Sequence, residues 1–174
     1  FLGPGKSSED IQLAAEALEM LYRDSGYPTT YVEIPEQNVT TGVVQLSITE
    51  GKISRVRVTG ARYFTPSSIR DQLQSVRVQQ SLYVPGVQED INRINSYASD
   101  LRVVPVLKPG RYPGEVELEI KVDDKRPLHG SIDYSNYHTS STTSTRLGAN
   151  IGYHNLWQMG HSASLQAQVS PEDT

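Results

Sequence analysis

Four histidines are the side chains of this 174-residue chain best suited to proton transfer or metal binding. They are His129, His138, His154 and His161, and all lie beyond residue 125. They lack the short spacing of a metal-ligand motif, and no cysteine accompanies them because the chain contains none. We therefore predict that they are solvated polar residues, with no bound metal and no cofactor.

Other reactive side chains form no recognisable catalytic pattern. The sequence contains neither a GxSxG nucleophile elbow nor a GxxxxGK[ST] phosphate loop. Residues 123–126, Asp-Asp-Lys-Arg, include two adjacent carboxylates that could be catalytic. A solvated linker at a module boundary is the simpler interpretation of this charge cluster. Arg55 and Arg57 lie on one face of a strand and could bind an anion. The simpler interpretation is that they keep this face exposed to solvent. We predict that the chain is not an enzyme.

Composition narrows the class of protein further. The net charge of −4 comes from well-mixed acidic and basic residues, which argues against a nucleic-acid surface. The absence of cysteine excludes a disulfide framework. No run approaches the roughly 18 apolar residues of a membrane-spanning helix, and residues 1–5 lack the features of a signal peptide.

Residues 41–60, TGVVQLSITEGKISRVRVTG, contain two β-patterns around the break at Glu50-Gly51-Lys52. Apolar and polar residues alternate on both sides, which is typical of half-buried strands. The apolar positions are Val44, Leu46, Ile48, Val56 and Val58. We interpret this stretch as the last strand of one small module running into the first strand of the next.

The first module is predicted to cover residues 1–51. Capping residues at 7–10 start a helix with apolar residues at helical spacing, and Gly26 ends it. Thr29–Ile34 is predicted to be a strand, followed by a turn at 37–38. This module lacks the opening strand and first helix of the module that follows it, so we expect it to begin part-way through.

The second module is predicted to cover residues 52–124. A strand at 53–58 precedes a helix that starts at Thr65-Pro66 and uses Ile69, Leu73 and Val76 as its apolar face. A second helix has its apolar face between residues 87 and 101, and two strands follow at 103–107 and 116–122. Pro105 cannot donate to a ladder, so the strand that contains it should lie at a sheet edge. This order predicts two helices on one face of a three-stranded sheet, an α+β fold.

The remaining residues, 125–174, contain three alternating segments and no helix pattern. Each segment has about the 9–11 residues that a tilted strand needs to cross a bilayer. A polar loop at 138–144 separates the first two segments, and a short turn at 155–160, with Trp157, separates the last two. The pattern is typical of an outer-membrane β-barrel wall, although a soluble β-sandwich also alternates. Three strands cannot close a barrel, so we expect this part to be incomplete.

The predicted order along the chain is therefore a partial α+β module, a complete α+β module and three alternating strands. This order resembles that of the transporter of two-partner secretion, the TpsB family of the Omp85 superfamily. An ordered set of short segments carries the resemblance along nearly the whole chain. They are Tyr22 with 26–29 (GYPT), 34–39 (IPEQNV), 42–44 (GVV), 48–53 (ITEGKI), 107–110 (LKPG) with Pro113-Gly114, Arg126-Pro127, and 155–157 (NLW).

The resemblance implies two periplasmic POTRA modules of order β-α-α-β-β in front of a transmembrane β-barrel. Residues 1–51 would be the back part of the first module, 52–124 the second, and 125–174 the first barrel strands. In that family the modules bind the secretion domain of an unfolded, TpsA-like exoprotein, which leaves through the barrel pore. The plug helix, the start of the first module and most of the barrel are absent from this sequence, so we expect no transport by it alone. The implied location is the Gram-negative outer membrane, with residues 1–124 in the periplasm.

A sheet edge can take up an extended peptide as an additional strand. The candidate substrate-binding residues are therefore those of the two predicted edge strands: Tyr31, Val32, Glu33, Ile34, Val103, Val104, Val106 and Leu107. The simpler interpretation is that these strands only complete their own sheets, with edges blunted by Pro35 and Pro105. Open edges on the barrel strands predict either disorder or pairing with a second copy of the chain. Two alternatives stay open: an Omp85-type barrel-assembly factor, and a soluble adhesion or scaffold module.

Overall fold

The computed structural model describes residue 5 and residues 7–38, 42–136 and 145–170. His138 and the predicted polar loop lie outside the described residues. The helices are α1 (Ser8–Asp24), α2 (Pro66–Asp71) and α3 (Val84–Tyr97). The strands are β1 (Thr30–Glu33), β2 (Ser47–Glu50), β3 (Lys52–Thr59), β4 (Leu101–Pro109), β5 (Glu115–Asp124), β6 (Leu128–Ser135), β7 (Arg146–Leu156) and β8 (His161–Val169).

Helix α1 starts and ends where the sequence predicts. The Ser7 hydroxyl accepts the Asp10 N–H over 3.3 Å, and the Asp10 carboxylate accepts the Ser7 N–H over 2.9 Å, which completes a capping box. Beyond the helix, Gly26 has a φ of 95°, which favours glycine. Ala15 is the one buried residue of the helix, so the packing of α1 against its two-stranded sheet contributes little buried apolar surface.

The strand predicted from Val44 onward is wrong in its first part, because β2 begins only at Ser47. The side chain of Gln37 explains the difference. Its amide donates to the Gln45 carbonyl over 2.8 Å and accepts the Gln45 N–H over 2.7 Å. A side chain thus satisfies the backbone that a partner strand would otherwise have paired.

The second sheet has the strand order β3-β5-β4, with β3 parallel and β4 antiparallel to the central β5. The predicted edge position of the strand containing Pro105 is confirmed. Helices α2 and α3 supply apolar side chains to one buried cluster with this sheet. Its most buried members include Ile53, Ile69, Leu82, Ile94, Leu118 and Ile120, each no more than 1% exposed.

Two predicted helix boundaries are wrong. Helix α2 stops at Asp71 rather than continuing to Val76, although Leu73 is still buried in the core. The buried Asp90 carboxylate accepts the Ser75 N–H over 2.7 Å, so a side chain replaces the helical bond there. Leu101 opens β4 instead of ending α3, because the chain is already extended at Ala98.

The third sheet has the order β6-β7-β8, all antiparallel, and its strands coincide with the three alternating segments. The register aligns apolar residues with apolar residues across all three strands. Ile132 lies opposite Ala149, which lies opposite Ala167, and Ile151 lies opposite Leu165. The apolar face is open: Ile132 is 81% exposed and Leu165 is 71% exposed. Among the described residues, no helix is both long and apolar enough to span a membrane.

Candidate protein-binding site

The outward edge of β4 is the first candidate for binding a peptide strand. In an antiparallel ladder, alternate residues turn their backbone groups toward the partner strand. Val103 makes its backbone bonds away from β5, so the odd-numbered residues of β4 face outward and the even-numbered ones bond to β5. Pro105 and Pro109 are outward positions without an N–H. The Leu101 N–H donates to the Ala98 carbonyl over 3.2 Å.

Asn95 of α3 occupies the next outward position. Its Oδ1 accepts the Val103 N–H over 2.7 Å, and its Nδ2 donates to the Val103 carbonyl over 3.1 Å. A single side chain therefore satisfies the backbone at the point where an added strand would pair. Leu107 remains as the outward residue of β4 with an N–H directed away from β5 and no proline ring.

Leu107 is also the point where two depressions meet. An apolar groove of about 200 Å³ runs between α3 and β4 and is lined by Leu82, Val84, Val87, Gln88, Pro105, Leu107 and Leu118. A shallower cleft of about 400 Å³ extends from Leu107 along residues 108–116 and is also lined by Tyr31. Leu107 is 42% exposed and Tyr31 is 51% exposed, so both are accessible to a partner.

The outward N–H groups of β1 at Thr30 and Val32 already have hydrogen-bond partners within the chain. The Glu19 carboxylate accepts the Val32 N–H over 2.9 Å, and the Tyr27 carbonyl accepts the Thr30 N–H over 3.3 Å. These two N–H groups point away from β2, since Val32 and Thr30 are the positions of β1 that do not bond to it. A peptide that paired with β1 would have to displace Glu19.

The eight predicted site residues therefore differ in whether their side chains and backbone groups are accessible to a partner. The Val103 side chain is buried, whereas Val104 is 48% exposed on the face of the sheet opposite the helices. Val104 and Val106 use their backbone groups within the β4–β5 ladder. Ile34, just beyond β1, is 41% exposed, and Glu33 pairs with Ser47. Of the set, Tyr31 and Leu107 are brought to one cleft.

The outer face of the second sheet carries paired charges. The Arg55 guanidinium lies 3.7 Å from the Glu117 carboxylate, so Arg55 is paired. The Lys108 ammonium lies 2.5 Å from Glu119 Oε2, and the Thr59 hydroxyl donates to Oε1 over 3.0 Å. Lys108 and then Thr59 lower the pKa of Glu119 from its ordinary value of 4.5, against a smaller opposing effect of burial.

The prediction that 123–126 is a solvated linker is wrong for Asp124, which is 9% exposed. Its carboxylate accepts the N–H groups of Arg62, Tyr63 and Phe64 over 2.7–3.1 Å. Consecutive backbone N–H groups that converge on an anion form a nest. Asp124 thereby holds the loop between β3 and α2 against the end of β5.

Gln158, in the turn between β7 and β8, is a contact residue that sequence reasoning missed. Its Oε1 accepts the Thr65 N–H over 3.0 Å, and its Nε2 donates to the Tyr63 carbonyl over 3.1 Å. The Ser68 hydroxyl donates to the Gln158 carbonyl over 2.8 Å, and the Tyr97 hydroxyl donates to the Met159 carbonyl. The turn is thus fixed to the start of α2 and the end of α3. Gln158 has a positive φ of 59°, which is unusual for a residue other than glycine and could not be predicted from the sequence.

Three of the histidines make side-chain contacts and are not merely solvated. His129 Nε2 lies 2.7 Å from Oδ2 of Asp100, whose side chain is 7% exposed. The ring of His154 stacks on that of His129 with the centroids 4.8 Å apart. His161 makes an edge contact with Trp157 at 6.1 Å. Spacing along the chain could not predict the Asp100 contact, because the two partners are 29 residues apart.

Comparison with known proteins gives this architecture a context. Residues 1–51 match the family of POTRA domains of ShlB type. Along 95% of its length the chain is 24% identical to the outer membrane transporter CdiB-2 of Burkholderia pseudomallei, of which it covers 29%. It is 21% identical, again over 95% of its length, to the heme/hemopexin transporter protein HuxB of Haemophilus influenzae, of which it covers 29%. The chain thus spans less than a third of these relatives.

Solved structures show the same fold. CdiB from Escherichia coli superimposes with a TM-score of 0.73 at 18% identity, over 97% of this chain and 31% of that one. POTRA domains 1–3 of Omp85 from Anabaena superimpose with a TM-score of 0.60 at 23% identity, over 70% of this chain and 53% of that one. The resemblance to two-partner secretion transporters is confirmed, and so is the predicted outer-membrane location with a periplasmic segment. The relatives named here are transporters and POTRA domains rather than enzymes.

Proposed function

We propose that this chain is the substrate-recognition part of an outer-membrane protein translocator. Its two modules, residues 1–51 and 52–124, capture the secretion domain of a partner exoprotein in the periplasm. Strands β6 to β8 then form the beginning of the β-barrel wall through which the exoprotein leaves. The protein acts by binding, so no catalytic residue and no nucleotide are required.

The observation that best supports this proposal is that Leu107 and Tyr31 line the same cleft. An extended peptide that pairs with the outward N–H and carbonyl of Leu107 continues into the cleft beside Tyr31. One of its apolar side chains enters the adjoining groove between α3 and β4. Because Asn95 blocks the edge at Val103, and Pro105 lacks an N–H, the added strand starts near Leu107 and not along all of β4.

The aligned faces of the third sheet support the barrel part of the proposal. One face presents Ile132, Leu165 and their apolar neighbours to the surroundings, while the opposite face presents polar residues such as Ser131 and Asn150, which are directly paired. A barrel wall needs an apolar outside and a polar lumen at alternate positions. A soluble sandwich would instead bury one of the two faces against a second sheet.

The decisive experiment is a binding titration of the full 174-residue chain, in detergent, against the N-terminal secretion domain of an exoprotein encoded beside its gene. Leu107→Pro removes the outward N–H without removing a bond of the β4–β5 ladder. We expect this variant to bind at least about ten-fold more weakly, since main-chain bonds supply the affinity of strand addition. Leu107→Ala is the matched control, because it keeps the N–H and removes only the side chain.

Three outcomes separate the alternatives. A larger loss for Leu107→Pro than for Leu107→Ala supports strand addition at this edge. Equal losses assign recognition to the apolar groove instead. If the folded chain does not bind the secretion domain, the receptor function is rejected. The barrel-assembly or scaffold function then becomes the better hypothesis.

A further inference from the structure

Asp100, His129 and His154 come from three separate elements and meet at the junction between the second module and the third sheet. Asp100 lies in the turn between α3 and β4, His129 in β6 and His154 in β7. One potential ligand atom from each of the three residues lies within 4.8 Å of the others. The Asp100 carboxylate is 7% exposed and makes its described contact with His129.

The register of β6 and β7 explains why the two imidazoles are adjacent. His129 lies opposite Gly152, and His154 follows two residues later on the same face of the sheet. A Cβ atom at position 152 would lie 3.3 Å from Nε2 of His154, tighter than most Cβ contacts, so the His154 ring would have to shift slightly. Glycine leaves the His154 ring in its stacked position. The His154 N–H also donates to the Pro127 carbonyl over 2.8 Å, which anchors β7 beside the start of β6.

We propose that Asp100, His129 and His154 form a binding site for a divalent transition-metal ion of the zinc class. Two imidazoles and one carboxylate are the donors that such ions accept, and zinc sites with three protein ligands keep a fourth position for water. His129 and His154 are both exposed, so solvent has access to that position. Ligand distances of about 2.0–2.2 Å would require the most distant ligand atoms, up to 4.8 Å apart, to approach the ion. The hydrogen-bonded pair of His129 Nε2 and Asp100 Oδ2, 2.7 Å apart, would have to separate as the ion enters between them.

The electrostatic surroundings limit the affinity. Arg102 and Lys125 line the same surface depression as Asp100, together with Asp123. The two cations oppose a second positive charge, and the one additional carboxylate favours it. The site is therefore expected to bind zinc with moderate affinity and only when both imidazoles are neutral.

The second module already contacts the third sheet at two points, the turn at Gln158 and the bond between Asp100 and His129. A bound ion would strengthen the second attachment and extend it to His154 in β7. Two separated attachments fix the orientation of a module better than one. The metal would thus restrain the recognition module relative to the membrane strands.

The test is a zinc titration of the full chain in detergent, prepared without a polyhistidine tag and followed by calorimetry. We expect saturable binding of one ion that EDTA reverses and that raises the thermal midpoint. His154→Ala, a change at an exposed position, should weaken binding by more than the roughly 10–100-fold that loss of a ligand's hydrogen-bond partner costs. Asp100→Asn should do the same.

His161→Ala is the matched control, since His161 is exposed in β8 and contacts Trp157 rather than the cluster. It should leave the zinc affinity unchanged. Absence of saturable binding, or binding that survives both His154→Ala and Asp100→Asn, overturns the proposal. Loss of binding in His161→Ala with retention in His154→Ala overturns it as well, because the ion would then lie elsewhere.

Discussion

The side-chain amide of Asn95 bonds to both backbone polar groups of Val103, accepting the N–H over 2.7 Å and donating to the carbonyl over 3.1 Å. A helix residue thus takes the place of a neighbouring strand at the edge of the second sheet. Edges left without a partner are sites of unwanted pairing. Here the fold restricts the accessible part of β4 to the end that contains Leu107.

Replacement of Asn95 by alanine should both destabilise the protein and lengthen its accessible edge. Losing two hydrogen bonds to the Val103 backbone should lower the free energy of unfolding by about 1–3 kcal/mol. Urea unfolding of the full chain measures this change. Asn92→Ala is the matched control, since Asn92 is on the same helix and contacts only the exposed Gln88 side chain among its described partners. An Asn95→Ala variant as stable as Asn92→Ala would contradict the assigned role.

Asp124→Asn should destabilise the loop between β3 and α2. The carboxylate accepts three successive N–H groups, and hydrogen bonds to a charged group contribute about 1.5–3 kcal/mol. Oδ2 alone accepts all three N–H groups, so an amide oxygen there would keep them but without the negative charge, and the amide NH2 group in the place of Oδ1 would face the Arg62 N–H donor against donor. The variant should unfold at a lower urea concentration. Asp123→Asn, at the neighbouring exposed position, should have a much smaller effect, and similar losses for the two variants would argue against the nest.

Acid should weaken the second sheet through Glu119. Lys108 and Thr59 hold the pKa of Glu119 below 4.5 in the folded state. Its contribution to stability is therefore complete above the pKa of the unfolded chain and is lost as the pH falls through the folded-state pKa. Glu119→Gln should reduce the acid sensitivity of the urea midpoint between about pH 6 and about pH 3. Glu89→Gln, an exposed change on α3, is the control and should leave that sensitivity as it is.

Gln158→Gly should remove the two side-chain bonds between the β7–β8 turn and the second module while keeping the backbone shape of the turn, because glycine tolerates a φ of 59°. The Thr65 N–H loses its acceptor and should exchange with solvent roughly five-fold faster, equivalent to about 1 kcal/mol. Hydrogen exchange followed by mass spectrometry measures this rate. Trp157→Gly, at a φ of 56°, is the matched control. Equal acceleration in both variants would mean that the turn conformation, and not the Gln158 side chain, protects Thr65.

The proposed membrane face of the third sheet can be tested with a pair of adjacent residues. Ile132→Arg places a charge on the open apolar face, whereas Ser131→Arg places it on the polar face. A charge facing lipid near the middle of a bilayer costs about 2–4 kcal/mol. Flotation of the full chain with phospholipid vesicles should therefore decrease for Ile132→Arg and change little for Ser131→Arg. An equal decrease would favour a soluble β-domain over a barrel wall.

The sequence alone predicted most of the elements and several of their positions. Alternation located β3, β5 and the three strands of the third sheet, because a period of two reflects a backbone with two distinct faces. Pro105 predicted the edge position of β4, because a missing N–H is a local covalent property. The same kind of local property, the capping of α1 by Ser7 and Asp10, fixed where the first helix begins.

The tertiary structure alone decided which edges are open and which side chains meet. Gln37 delayed the start of β2, Asn95 and Glu19 occupied sheet edges, and Asp124 accepted three N–H groups beginning with that of Arg62, 62 residues before it. Likewise, Asp100 reached His129, and Leu107 reached the cleft beside Tyr31. Each of these contacts joins residues of different elements. The pattern of side chains along the sequence reflects local backbone geometry. Contacts between elements depend instead on how the folded helices and strands pack against one another.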